Sequence, residues 1–166
     1  AKVGKGDVFG YDYNILINKA QAWTSYSHLV GRFNLMGAAR IGGVSMQRDG
    51  KMRNGLFEAN SYGKSGVARF LEGGAKVAVN YSAGRGHTFS IGAGYQYNAP
   101  TAAVSFAAPE MNNDFALNLK NERVLSTDFA YQYQSARVHI NLNAYYNAIN
   151  NVTEWQNFYF DDINSF

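Results

Sequence analysis

The stretch Arg137-Val-His-Ile-Asn-Leu-Asn-Ala-Tyr-Tyr-Asn147 alternates apolar and polar residues for about ten positions. Side chains alternate faces along a strand, so Val138, Ile140, Leu142, Ala144 and Tyr146 share one face. His139, Asn141, Asn143, Tyr145 and Asn147 share the other. In a soluble sandwich the wet face is the outside. In an outer-membrane barrel the greasy face meets lipid and the wet face lines the lumen.

Six stretches carry this rhythm: Tyr11–Tyr26, Gly31–Gln47, Ala75–Gly84, His87–Asn98, Val124–Gln134 and Arg137–Asn150. The clearest outward sets are Phe33, Leu35, Ile41; Ala75, Val77, Val79, Tyr81; Phe89, Ile91, Ala93, Tyr95, Tyr97; and Leu125, Thr127, Phe129, Tyr131, Tyr133. Their neighbours are mostly polar or small. The first stretch breaks the rule, because Lys19 and Gln21 share a parity with Ile15 and Ile17. A bulge near Asn18 would repair it.

Short links join the stretches into three hairpins, near 28–30, 84–86 and 135–136. Long surface loops separate them, at 48–74, 99–123 and 151–166. Short turns at one end and long loops at the other are the asymmetry of a bacterial outer-membrane barrel. Tyr and Trp near strand ends, among them Tyr11, Tyr13, Trp23, Tyr26, Tyr95, Tyr97, Tyr131, Tyr133, Tyr145, Tyr146 and Trp155, suit interfacial girdles. The expected fold is therefore all-β: an antiparallel up-and-down transmembrane barrel segment of about six strands, one domain over 1–166. Six strands close around very little, and the smallest such barrels have about eight. Both ends of the chain read as cuts within a larger wall.

Composition agrees. The 166 residues include two prolines, 17 glycines, 12 tyrosines and 15% aromatics, a strand-rich profile. No cysteine is present, which excludes disulfides and thiolate metal sites. A net charge of +3 with scattered basic residues gives no nucleic-acid footprint. No run approaches the ~20 apolar residues of a membrane-spanning helix, and the start of the chain does not read as a secretory leader.

Several motifs invite chemistry without completing it. Gly63-Lys64-Ser65 resembles the end of a phosphate loop, but Glu58 stands where that motif needs glycine. The three histidines, His28, His87 and His139, lie at or beside the short turns without metal-ligand spacing. Glu110, Asp114, Glu122 and the pair Asp161-Asp162 read as solvated loop charges, and their spacing fits no calcium loop. Asn151-Val-Thr153 fits a glycosylation acceptor pattern, which would mean little on a bacterial barrel. No catalytic residue, cofactor or metal site is expected. The functional candidates are the polar residues of the wet face: Arg32, Asn34, Arg40, Lys76, Asn80, Gln96, Asp128, Gln132, His139, Asn141 and Asn143.

Asn118 to Gln132, followed by Val138-His-Ile-Asn-Leu-Asn-Ala-Tyr-Tyr146, resembles the TonB-dependent outer-membrane receptors. In that family a Leu-Lys-x-Glu element closes a long surface loop, matched by Leu119-Lys-Asn-Glu122. It starts a strand matched here by Asp128-Phe-Ala-Tyr131, and a partner strand ending in Tyr-Tyr follows. Phe106 to Asp114 and the terminal Val152-Thr-Glu-Trp155 with Tyr159-Phe-Asp-Asp162 look like its loops. The resemblance covers about the last third closely and the rest by strand rhythm. It implies a 22-stranded barrel in the outer membrane that imports a scarce nutrient. Its partners would be outer-membrane lipid, its own N-terminal plug, the TonB complex and a surface lipoprotein. The plug is expected to be absent from these residues, which would form roughly a quarter of the wall. Phe166 ends the chain without the alternating pattern of a closing strand, and reads as a loop residue. The alternative is a non-transport barrel or β-sheet adhesin that binds through its loops.

Overall fold

The computed structural model describes residues 4–5 and 9–154. Residues 155–166 of the expected third loop, with Trp155, Tyr159, Asp161-Asp162 and Phe166, lie outside them.

Six long strands and one short one make a single antiparallel sheet: β1 (Tyr13–Val30), β2 (Phe33–Gly50), β3 (Gly63–Lys64), β4 (Ala68–Gly84), β5 (His87–Asn98), β6 (Glu122–Gln134) and β7 (His139–Asn150). Their order is β1-β2-β4-β5-β6-β7, with β3 pairing the end of β2. This is an up-and-down sheet. It is not closed into a barrel, because β1 and β7 form its two edges. The one helix among the described residues, α1 (Ala102–Ser105), belongs to the loop after β5.

Registers align the apolar parities of successive strands. Phe33 pairs with Tyr81, Tyr81 with Phe89, Phe89 with Tyr131 and Tyr131 with Leu142. A second row runs Leu35, Val79, Ile91, Phe129, Ala144. One face is thus apolar across five strands. No described residue covers it: Val77 is 62% exposed, Ile91 61% and Leu142 60%.

The glycines report how the sheet curves. On the polar face, a Cβ built at Gly42 would lie 2.7 Å from the Ala20 carbonyl oxygen, and one at Gly74 2.9 Å from that of Tyr95. On the apolar face, Gly37 has nothing within 4 Å, and Gly43 and Gly73 meet nothing nearer than 3.4 Å. Side chains converge on an inner surface and diverge on an outer one. The polar face is therefore concave and the apolar face convex.

The hairpin turns differ in detail from the sequence expectation. The first lies at Gly31-Arg32 and not at 28–30, since His28, Leu29 and Val30 still pair with β2. Gly31 supplies the turn with a φ of +58°. The second turn places Arg85 (φ 51°) and Gly86 (φ 82°) in left-handed backbone, the two-residue pattern whose twist matches a hairpin. A register shift between Ser82 and Gly84 precedes it. In the third, the Ser135 amide donates to the Val138 carbonyl at 2.8 Å, so the turn sits at Ala136-Arg137 and β7 starts two residues later than expected.

The loops are also shorter than expected. Strand β2 runs on to Gly50 and β4 begins at Ala68, which leaves 51–67 in place of 48–74. The next loop spans 99–121 in place of 99–123. No bulge interrupts β1, whose register runs unbroken from Tyr13↔Gly50 to Val30↔Phe33. The parity break has a different cause. Ile15 lies on the polar face, where the two long loops fold back and give it apolar company.

That packing forms the only buried core among the described residues: Val44, Met46 and Phe106, with Ile15, Phe70, Ala99, Ala102 and Phe115 against it. Phe106 is fully buried and its ring centre lies 4.9 Å from that of Phe115.

Candidate functional site

The polar face divides into two parts along the strands. At the long-loop end it is roofed by segments 51–67 and 99–121. Toward the short turns it opens into a trough of about 760 Å³. Small residues floor the trough, including Ala38, Gly74, Ala78, Gly92 and Gly94. Polar groups rise from the floor: Arg40, Lys76, Gln96, Ser126 and Asp128. Pairing explains the arrangement, because Lys76 faces Gly94, and Gly94 faces Ser126, while Asp128 faces Gly92. Each long polar side chain thus has a glycine beside it. Asp128 uses that space, since its Oδ1 lies 2.5 Å from where a Gly92 Cβ would stand.

Arg40 hydrogen-bonds the Asn98 side-chain oxygen and, at 3.4 Å, that of Gln96. One turn of pleat further on, Glu72 is 6% exposed. Its Oε1 accepts from the Ala99 amide at 3.2 Å. Its Oε2 lies 2.6 Å from the Lys19 ammonium, close enough for charge pairing but off the line of a hydrogen bond. Lys19 and Glu72 stand on β1 and β4, so the pair spans β2. Arg40, Asn98, Lys19 and Glu72 form a polar collar between the trough and the roofed core.

Of the wet-face candidates, Asn34, Arg40, Lys76, Asn80, Gln96, Asp128, Gln132, His139, Asn141 and Asn143 all lie on the polar face by register. Arg32 does not. It occupies the first turn, where its carbonyl accepts from the Ser82 amide at 2.9 Å. The strand it was assigned to starts one residue later. Arg40, Lys76, Gln96 and Asp128 gather in the trough, whereas His139, Asn141 and Asn143 line the edge strand beside it.

Trp23 also departs from expectation. It pairs with Arg40, faces the trough and is 74% exposed, so it belongs to the polar face and not to a girdle. Aromatic rings also line up on the convex face, near the short turns. Phe33 stacks on Tyr81 at 4.7 Å, Phe89 lies 5.1 Å from Tyr131, and His87 lies 4.7 Å from Tyr133. His87 Nδ1 is also 2.9 Å from the Tyr131 hydroxyl. From Phe89 to Tyr97 is eight residue steps, roughly 27 Å along the strand and about 21 Å once tilted by ~40°. The apolar band of an outer-membrane barrel is roughly 25 Å tall.

The histidines do not converge: His87 and His139 lie on opposite faces of the sheet, and His28 stacks near Tyr26. Among the described residues no group of three His, Asp or Glu side chains could hold a metal ion. Gly63-Lys64 form the short strand β3 against the end of β2, and Ser65 follows it directly. Ser65 is buried, and its hydroxyl accepts from the Arg48 amide at 2.9 Å. Asp114 accepts from the Asn60 amide side chain at 2.8 Å, a contact within the roof.

Sequence reasoning missed Arg48, which is 1% exposed. Its Nε donates to the Pro109 carbonyl at 2.6 Å, and its Nη1 to the Ser61 carbonyl at 2.8 Å and the Asn113 side chain at 2.6 Å. Its guanidinium also lies 5.1 Å from the centre of the Tyr13 ring. An arginine followed by Asp49 and Lys51 reads as a solvated charge run, and partners some 60 residues away leave no local signal. The neighbouring Asp49 carboxylate hydrogen-bonds Lys51 and so raises its pKa.

Compared with known proteins, the chain matches no family model, no curated protein and no solved structure.

Proposed function

We propose that this chain is part of the wall of an outer-membrane β-barrel, and that the barrel is an active-transport receptor of the TonB-dependent kind. The convex apolar face carries this reading. It runs unbroken over five strands, is left uncovered by the described residues, and ends in a row of aromatic rings at the short-turn side. Soluble monomers rarely leave a contiguous apolar patch of more than a few hundred Å² in water. A bilayer removes the difficulty, because lipid tails take the convex side while the concave polar side faces a lumen. Single-sided curvature and the turn-loop asymmetry are the geometry of such a wall. Strands β1 and β7 would then pair with further wall strands, which relieves their open hydrogen-bonding edges.

In this reading the chain performs no covalent chemistry. Its convex residues anchor the wall, and the trough presents donors and acceptors to whatever fills or crosses the lumen. The roof narrows the loop end of that passage. Import of a scarce nutrient with TonB-derived energy rests on the resemblance at Leu119-Lys-Asn-Glu122 and Asp128-Phe-Ala-Tyr131, together with the roofed, lumen-side loops.

The test is growth of a deletion strain under separate limitation for iron, cobalamin and glycans. Loss of growth on one nutrient, restored by the gene only while the TonB system is intact, supports a receptor. Unchanged growth on all of them, with lost adhesion to surfaces, would favour a non-transport barrel or adhesin.

A further inference from the structure

The loops 51–67 and 99–121 leave the sheet at different hairpins, yet both are tied to one side chain. Arg48 stands near the end of β2 with its guanidinium buried. Its hydrogen bonds reach Ser61 in the first loop and Pro109 and Asn113 in the second. All three acceptors are neutral. The carboxylate next to it, Asp49, is engaged by Lys51. The loops also touch directly, since the Asn113 amide donates to the Asn60 carbonyl at 2.8 Å. A buried cation is tolerated only while its donors are satisfied. If either loop lifts away, the guanidinium loses acceptors while the other loop still covers it, and that penalty also weakens the hold on the other loop.

We propose that Arg48 is a latch that makes the two loops one cap, which opens and closes over the concave face as a single body. The inference rests on these contacts alone and holds whether the barrel transports or adheres. Methionine keeps most of the apolar volume of arginine and removes every donor. Arg48→Met thus separates a latch from a packing role.

The readout is hydrogen exchange of the detergent-solubilised protein, paired with trypsin cleavage at Arg53 in one loop and Lys120 in the other. The expected result is at least about tenfold faster exchange in both loops together, at Ser65, Asn112 and Asn113, with β4 and β5 amides unchanged. Cleavage at Arg53 and Lys120 should accelerate in parallel. Asn60→Ala, which keeps its backbone carbonyl and the latch, should leave both loops within about threefold of the parent. Acceleration in one loop alone, or in neither, overturns the latch. If Arg48→Met fails to fold, Arg48→Lys takes its place. A lysine ammonium does not span all three acceptors, so both loops should loosen by one common factor, and unequal factors again overturn it.

Discussion

Adding one methyl group at Gly74 should destabilise the sheet, whereas the same group at Gly37 should not. Neither glycine has a positive φ, so alanine fits both backbones and only space distinguishes them. At Gly74 the new Cβ meets the Tyr95 carbonyl oxygen at 2.9 Å and the Gln96 Cα at 3.4 Å. Those are backbone atoms of the neighbouring strand, so β4 and β5 must move apart or flatten. Overpacking of this kind costs about 1–3 kcal/mol. At Gly37 nothing lies within 4 Å. There the loss of unfolded-state freedom dominates and contributes about 0.4–1 kcal/mol of stability. Gly92→Ala falls between them, because its new Cβ would meet the end of the Asp128 side chain, which can swing aside. Urea unfolding of the protein in lipid vesicles, followed by tryptophan fluorescence, measures all three. A spread of about 1.5–4 kcal/mol between Gly74→Ala and Gly37→Ala is expected. Equal effects, or the reverse order, would refute the concave polar face.

Other substitutions probe the remaining parts of the structure. Val77→Lys places a charge midway along the convex band and should cost about 2–4 kcal/mol in lipid, while Lys76→Val on the other face should stay within about 0.5 kcal/mol, both by the same unfolding assay. Phe106→Ala removes the one fully buried ring of the roof. It should cost about 3–5 kcal/mol locally, seen as faster exchange in 99–121 with β6 and β7 still protected. Lys19→Met strands the buried Glu72 carboxylate, whereas Lys19→Met combined with Glu72→Leu removes both charges. The double variant should therefore be the more stable of the two, and a less stable double variant would contradict the pairing across β2.

Much of this architecture is legible in the residues, and the exceptions share a cause. Strands β5, β6 and β7 alternate cleanly over most of their length, because one side is apolar and the other polar up to Val124 and Ile149 at the loop end. Strand β1 does not, because the polar face changes character where the loops fold onto it. Ile15 packs on the cluster of Val44, Met46 and Phe106 across space and not along the chain, so no local rhythm accounts for it. The same fold-back hides the start of β4. Ala68-Arg-Phe-Leu-Glu-Gly-Gly74 looks like loop, but Phe70 enters the roof core and Glu72 meets Lys19. Arg32 lies one residue before β2, which places it in the turn and not in the wall. Within the candidate site, Lys76, Gln96 and Asp128 follow from parity alone. Their convergence over a glycine floor follows from register, which only the pairing of strands sets.

Lipid contact of the convex face is the claim on which the functional reading depends. The chain has no cysteine, so single cysteines can be placed at will. Fluorophores at Ile91, Phe129 and Leu142 on one face, and at Ser90, Asp128 and Asn143 on the other, would be exposed in turn to a lipid-phase and an aqueous quencher. The expected result is strict alternation, with the first three quenched only from lipid and the second three only from water. Aqueous quenching at all six positions would contradict it and leave the sheet as half of a soluble assembly.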